Sequence, residues 1–425
     1  MSETTSILIK DTTILSDKIK KASILIVDNT IEEISNDLSV TDASKVIDGT
    51  NKITMPGLVN THSHVAMTLL RGVGDDEELQ TWLNDYIWPK EAKLDEKLVY
   101  AGSKLAMAEM IKTGTTTFND MYFYMEETAK AVEESGIRGV LGYGMIDLFD
   151  DEKRKQEIKA TKNLIKNSHN TANGRVQVAV APHAPYTCSE ELLSESKKLA
   201  NKHNLKLHIH VSETQQEVND LEKQRNQTPF EYLDSIDLLD ENTIAAHGVW
   251  TTDNEMKLLK EKQVSISHNP SSNMKLASGI APVSKYIKND INVAIGTDGV
   301  SSNNNLDMFS EMKLTALLQK VNTMNAKTLP AQATFNMATE NGARALGINT
   351  GSIKEGKLAH IVLVNMNVPH MIPVRNPLSN IIYSALGSDV DTVICDGQLL
   401  LEDKKLLTIN EEDAIYDAKL AAQQL

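Results

Sequence analysis

Eight short apolar segments, each followed by an amphipathic one, occupy the middle of this 425-residue chain. They span residues 58–64, 115–119, 139–144, 176–182, 206–212, 243–247, 264–268 and 293–298. Between them lie helix-like stretches such as 96–112, 125–135, 189–202 and 253–261. Strands alternating with helices indicate a parallel sheet with crossover helices. Eight such units are the number that closes into a (β/α)₈ TIM-like barrel, and no Gly-rich dinucleotide fingerprint follows the first segment to favour a doubly wound sheet. The fold class expected is α/β.

Short β-type runs also stand at both ends of the chain, among them Ile7-Leu8-Ile9, Ser23-Ile24-Leu25-Ile26-Val27 and His360-Ile361-Val362-Leu363-Val364. Neither set is large enough for a core of its own. The expected organisation is a small β-sandwich domain built from residues 1–54 and 351–425, the second part ending in a helix, around a barrel over residues 55–350.

Charge and cysteine content narrow the function classes. With 43 basic and 58 acidic residues the net charge is −15, which disfavours nucleic acid and anionic lipid as partners. No apolar run approaches the roughly 18–20 residues that span a bilayer, and residues 1–10 carry no signal-peptide pattern, so a cytoplasmic protein is expected. Cys188 and Cys395 are the only cysteines, which excludes a Cys-x-x-Cys metal site. A bound metal must use nitrogen and oxygen ligands.

Such ligands stand near the carboxyl ends of the predicted strands, where a barrel places its chemistry. His62 and His64 are one residue apart on the first segment, so both side chains point the same way. His183, His210, His247 and Asp298 follow. Three imidazoles from His62, His64 and His210 with the carboxylate of Asp298 suit zinc, and also admit iron(II) or manganese. His208 shares a face with His210 but lies deeper, as a packed or supporting histidine. Glu213, three residues after His210, is placed for general acid–base work beside a metal, or is a solvated surface residue. His247 ends an apolar run and is either a satisfied core histidine or a group beside the metal; its place at a strand end favours the second. Asp298 ends a buried strand, where a lone carboxylate is costly unless paired or metal-bound, so it reads as a ligand or as a base.

The phrases Met55-Pro56-Gly57-Leu58-Val59-Asn60-Thr61-His62-Ser63-His64, Pro182-His183-Ala184-Pro185-Tyr186-Thr187-Cys188, Ser267-His268-Asn269-Pro270-Ser271-Ser272-Asn273 and Gly296-Thr297-Asp298-Gly299-Val300-Ser301-Ser302 resemble the amidohydrolase superfamily. Within it they look like the branch that deaminates 5′-modified adenosines, which includes the methylthioadenosine/S-adenosylhomocysteine deaminases and the 5′-deoxyadenosine deaminases of methanogenic archaea. The resemblance implies one zinc ion per subunit on His62, His64, His210 and Asp298. It also implies substrate contacts from Glu91, His183, Glu213 and Asp298, catalysis by Glu213, His247 and Asp298, a small nucleoside substrate and a homotetramer. From the residues alone Glu91 reads as solvated. By resemblance it accepts the ribose hydroxyls, beneath a lid formed by the aromatic segment 82–89. The implied reaction is hydrolytic removal of ammonia from C6 of adenine, with a guanine deaminase or a triazine chlorohydrolase as the alternative. The third segment carries no arginine at its tip to meet a homocysteine carboxylate, and Arg154 is expected in a charged loop.

Overall fold

The computed structural model describes residues 5–16, 19–36, 38 and 43–425. Eight parallel strands follow one another in chain order: Leu58–Ser63, Thr115–Tyr122, Arg138–Met145, Val176–Pro182, Leu207–Val211, Thr243–His247, Ser265–His268 and Asn292–Ile295. The first and eighth are tied by the Asp298 amide, which donates to the His62 carbonyl at 2.9 Å, and by the Thr61 hydroxyl, which donates to the Ile295 carbonyl at 3.0 Å. The expected barrel is thereby formed. The first, second and sixth strands are buried at every position, as a parallel sheet wrapped by helices requires.

The barrel has an apolar floor and a polar middle. Val59, Val140, Ala179 and Ile244, from four strands, pack with Ala343, Leu346 and Ile348, which plug the amino-terminal end. Above them the Thr61 and Ser267 hydroxyls meet at 2.7 Å across the interior, from strands that are not neighbours. The pairing of the first and second strands shifts register between Asn60 and Ser63. That irregularity lets Val59 and Thr61 face inward and still brings His62 and His64 to the interior, which strict alternation would forbid.

The β-domain expected from both chain ends is a nine-stranded mixed sheet. Lys52–Pro56 joins its halves, pairing parallel with Ser6–Ile14 and antiparallel with Ile361–Asn365. The sheet therefore continues to Pro56, past the expected edge at residue 54. Its core is rich in isoleucine, including Ile9, Ile24, Ile26 and Ile361. The carboxyl-terminal helix, Glu411–Ala422, leaves the sheet and docks on the barrel helix Glu96–Lys112, where Lys112 Nζ lies 2.5 Å from Glu411 Oε1. No helix among the described residues is long and apolar enough to cross a membrane.

A buried ion pair locks sheet to barrel. Arg138, opening the third barrel strand, places Nη2 2.5 Å from the Asp396 carboxylate and donates through Nη1 to the Gly174 carbonyl at 2.6 Å. His360 Nε2 lies 3.4 Å from the other Asp396 oxygen. Removing one member of such a pair leaves a buried charge without a partner. The substitution Asp396→Asn is expected to lower unfolding free energy by about 3 kcal/mol, read from the urea midpoint.

Candidate metal centre and substrate cavity

The sixth strand ends in a left-handed residue, His247, and left-handed Ser212 and Asp298 stand just past the ends of the fifth and eighth strands. Ser212, His247 and Asp298 have φ of 54°, 74° and 61°. Non-glycine residues adopt this region at a cost and persist there when surrounding bonds hold them. Each turn swings the chain off the strand direction over the mouth of the barrel. The eighth strand itself stops at Ile295. Asp298 therefore stands in the following turn and not, as expected, at the strand tip. Close approach requires Gly296, since a Cβ there would lie 2.8 Å from the His62 amide nitrogen and Cβ.

Hydrogen bonds fix the imidazoles of the three candidate ligands. His64 Nδ1 lies 2.5 Å from the Met121 carbonyl oxygen and His210 Nδ1 2.7 Å from that of His183. A carbonyl only accepts, so both Nδ1 atoms carry protons, and in the neutral form of either ring Nε2 offers a lone pair. His62 Nδ1 pairs with His208 Nε2 at 2.8 Å, which makes His208 the support of His62. Asp298 is held by the Ser272 hydroxyl at 2.6 Å, the Ser302 hydroxyl at 3.0 Å and the Gly299 amide at 2.8 Å. The residues next to those serines are braced by buried Glu311, which accepts from the Ser271 hydroxyl at 2.5 Å and from Asn303 Nδ2 at 2.9 Å.

These groups fit a divalent cation. The donor atoms of His62, His64 and His210 all lie within 4.8 Å of one another, as do those of His62, His247 and Asp298. His62 Nε2 and His64 Nε2 each stand 3.2 Å from Asp298 Oδ1. His62 Nε2 is buried without a hydrogen-bond partner. Burial lowers the His64 pKa, but the bond to Asp298 outweighs it and raises the value to about 9, so positive charge is drawn to the space between these atoms, where a divalent cation would also be held. Ligands about 2.0–2.1 Å from one tetrahedral centre are about 3.3–3.4 Å apart, close to what is seen. Burial pushes the His62 pKa down to about 4, against the pull of Asp298. Burial likewise lowers that of His210, reinforced by the neighbouring imidazoles.

Beside the ligand cluster, His247 Nε2 lies 3.7 Å from Glu213 Oε2, and His247 Nδ1 is oriented by Asn273 Oδ1 at 2.9 Å. Glu213 is 8 % exposed, and burial raises its pKa above the ordinary carboxyl value, opposed by His247. The surface reading of Glu213 is thus replaced by a buried acid in the cavity. His183 faces the same space, its Nδ1 2.8 Å from the Thr187 hydroxyl, and burial takes its pKa down to about 3.

Glu91 is the larger surprise to a reading of residues alone. It is not a solvated residue but lies half-buried in the cavity wall, its pKa raised by burial against a hydrogen bond from Tyr122. The helical segment from Leu79 to Glu91 brings Trp82, Leu83, Ile87 and Trp88 over the same cavity, which measures about 740 Å³ with its mouth. Among the described residues no lysine or arginine lines it. Arg154 sits on the helix Asp151–Ser168, not in a loop, with Nη1 2.7 Å from Asp151 and Nε 3.6 Å from Glu195. Sequence reasoning missed Asp120, Tyr122 and Glu311. Asp120 accepts from the Ser63 hydroxyl at 2.9 Å and the Val65 amide at 2.8 Å, fixing the backbone on both sides of His64.

A family model described as the amidohydrolase family matches residues 53–400. The chain belongs to the amidohydrolase family. This amidohydrolase is 54 % identical over 407 residues to the 5′-deoxyadenosine deaminase of Methanothermobacter thermautotrophicus, covering 96 % of the chain and 95 % of that protein. It is 52 % identical over 426 residues to the 5′-deoxyadenosine deaminase of Methanobrevibacter smithii, covering 99 % and 98 %. Among solved structures, a zinc-bound adenosine deaminase from Xanthomonas campestris superposes with a TM-score of 0.94 at 33 % identity, covering 99 % of this chain and 98 % of that one.

Elemental analysis of the purified amidohydrolase is expected to find about one divalent cation per chain, and His210→Ala to reduce it at least about tenfold. Two metals per chain in the wild type, or full occupancy in the variant, would contradict the donor set described.

Proposed function

We propose that this amidohydrolase hydrolyses the C6 amino group of adenine in 5′-deoxyadenosine and related 5′-modified adenosines, giving the inosine analogue and ammonia. The observation that carries the reading is a buried acid, Glu213, placed with His247 and Asp298 in one cavity whose wall also holds Glu91. The names of relatives about half identical over nearly the whole chain point to the same substrate. His62, His64, His210 and Asp298 would hold the metal, for which zinc is proposed and iron(II) or manganese are substitutes. A divalent cation bound there supplies the nucleophile by lowering the pKa of water toward about 7.

The chain's own residues carry the protons. Glu213 starts protonated and gives its proton to N1 of the ring, which draws electron density from C6. His247 and Asp298 accept the proton released as water adds its oxygen to C6. That proton passes to the exocyclic nitrogen, the C6–N6 bond breaks and ammonia leaves. The remaining hydroxyl proton returns to Glu213 as the C6 carbonyl forms, so the acid is restored. His183 and Glu91 line the same cavity, where His183 would contact the nucleoside and Glu91 would accept from the ribose hydroxyls, fixing the substrate at both ends.

Because the cavity wall offers carboxylates and, among the described residues, no lysine or arginine, a 5′-phosphate or a homocysteine carboxylate would be desolvated without such a partner. Steady-state kinetics are expected to give kcat/KM for 5′-deoxyadenosine and 5′-methylthioadenosine at least equal to that for adenosine, with S-adenosylhomocysteine lower and AMP lowest. A preference for AMP, or turnover of guanine in place of the nucleosides, would overturn the reading. Glu213→Gln is expected to lower kcat about 10²–10⁴-fold with metal content unchanged. A variant keeping more than about half of kcat would remove Glu213 from the proton path.

A further inference from the structure

Glu217 has no place in the mechanism above, yet it is buried and both of its carboxylate oxygens are used. Oε1 accepts the Ser212 amide at 2.9 Å and Oε2 the Glu213 amide at 2.8 Å. Glu217 lies in the first turn of the helix Gln215–Arg225, whose N-cap is Thr214. A glutamate at the third helical position ordinarily reaches back to the N-cap amide. Here it reaches past Thr214 to the two residues before it, one of which carries the buried acid of the site.

The peptide it grips is strained. Ser212 has φ of 54°, a conformation uncommon for serine, and its carbonyl accepts from the Val249 and Trp250 amides at 2.9 and 3.0 Å. The turn that aims Glu213 off the fifth strand is thus clamped on one side by Glu217 and on the other by the segment that follows His247. The Thr214 hydroxyl accepts the Glu217 amide at 3.1 Å, which fixes the clamp to its own helix. A carboxylate is the side chain that can accept two neighbouring amides at once; an amide of the same shape has one acceptor and would set its NH₂ against the second N–H.

We propose that Glu217 is a positioning residue that sets the geometry of Glu213 as proton donor, by holding the Ser212–Glu213 backbone in its left-handed turn. The inference rests on the proton role given to Glu213. Small displacements of a reacting group cost up to about 10²-fold in rate. Glu217→Gln should therefore lower kcat about 10- to 100-fold while KM and metal content stay within about twofold. Because Glu217 acts through Glu213, adding Glu217→Gln to Glu213→Gln should cost less than about twofold more, a non-additivity that general loosening of the fold would not give. Glycine adopts the turn without strain, so Ser212→Gly should recover part of the kcat lost in Glu217→Gln.

The experiment is this double-mutant cycle on the metal-loaded protein with 5′-deoxyadenosine, run beside hydrogen exchange of the Ser212 and Glu213 amides. Exchange needs no substrate: protection of both amides in the wild type and its loss in Glu217→Gln supports the clamp, and unchanged protection overturns it. In an active wild type, additive losses from the two glutamine substitutions overturn the positioning role even if exchange changes. Failure of the wild type to turn over the nucleoside overturns the proposed reaction, and the exchange result then decides the clamp alone.

Discussion

The closure of the barrel between its first and eighth strands is the constraint on which the rest of the site depends. The bond from the Asp298 amide to the His62 carbonyl is at once a barrel bond and the link between two proposed ligands. Where it forms, Asp298 Oδ1 falls 3.2 Å from two imidazole nitrogens. The carboxylate there draws positive charge, raising the His64 pKa to about 9 against burial, and a divalent cation would answer the same field. Folding of the apolar barrel floor below therefore holds together, above it, the donor set that a metal would recognise.

Around that centre the structure uses one device repeatedly: a left-handed residue at or just past a strand end, held by a buried polar partner. Asp298 is held by the hydroxyls of Ser272 and Ser302 and the Gly299 amide, His247 by Asn273, and Ser212 by Glu217. Each partner comes from a loop or helix beyond the barrel strands. The reactive side chains are thus fixed by bonds made from beyond the barrel strands. Preorganisation of this kind keeps the geometry in place before substrate arrives.

Much of this was legible in the sequence because strand ends and polar residues coincide in it. The eight strands, His62, His64, His183, His210 and the apolar run ending at His247 all follow from hydrophobic pattern. Three features did not. Alternation correctly paired His62 with His64, but the register shift that lets Thr61 also face inward is a matter of pairing with the second strand and leaves no local signature. Asp298 was placed on a strand because 293–298 is apolar until its end, whereas the close contact of Gly296 with His62 forces the chain out of the sheet. From the residues alone Glu91 reads as solvated and Glu217 carries no signal, since only the packing of distant segments buries them.

The central claim is that His62, His64, His210 and Asp298 together hold one divalent cation. X-ray absorption at the metal edge of zinc-loaded protein tests it most directly. The account predicts a single shell of three nitrogens and one protein oxygen at about 2.0–2.2 Å, with any further ligand a light oxygen, and no metal–metal scattering. A sulfur ligand at about 2.3 Å, or a second metal at about 3.5–4 Å, would contradict it.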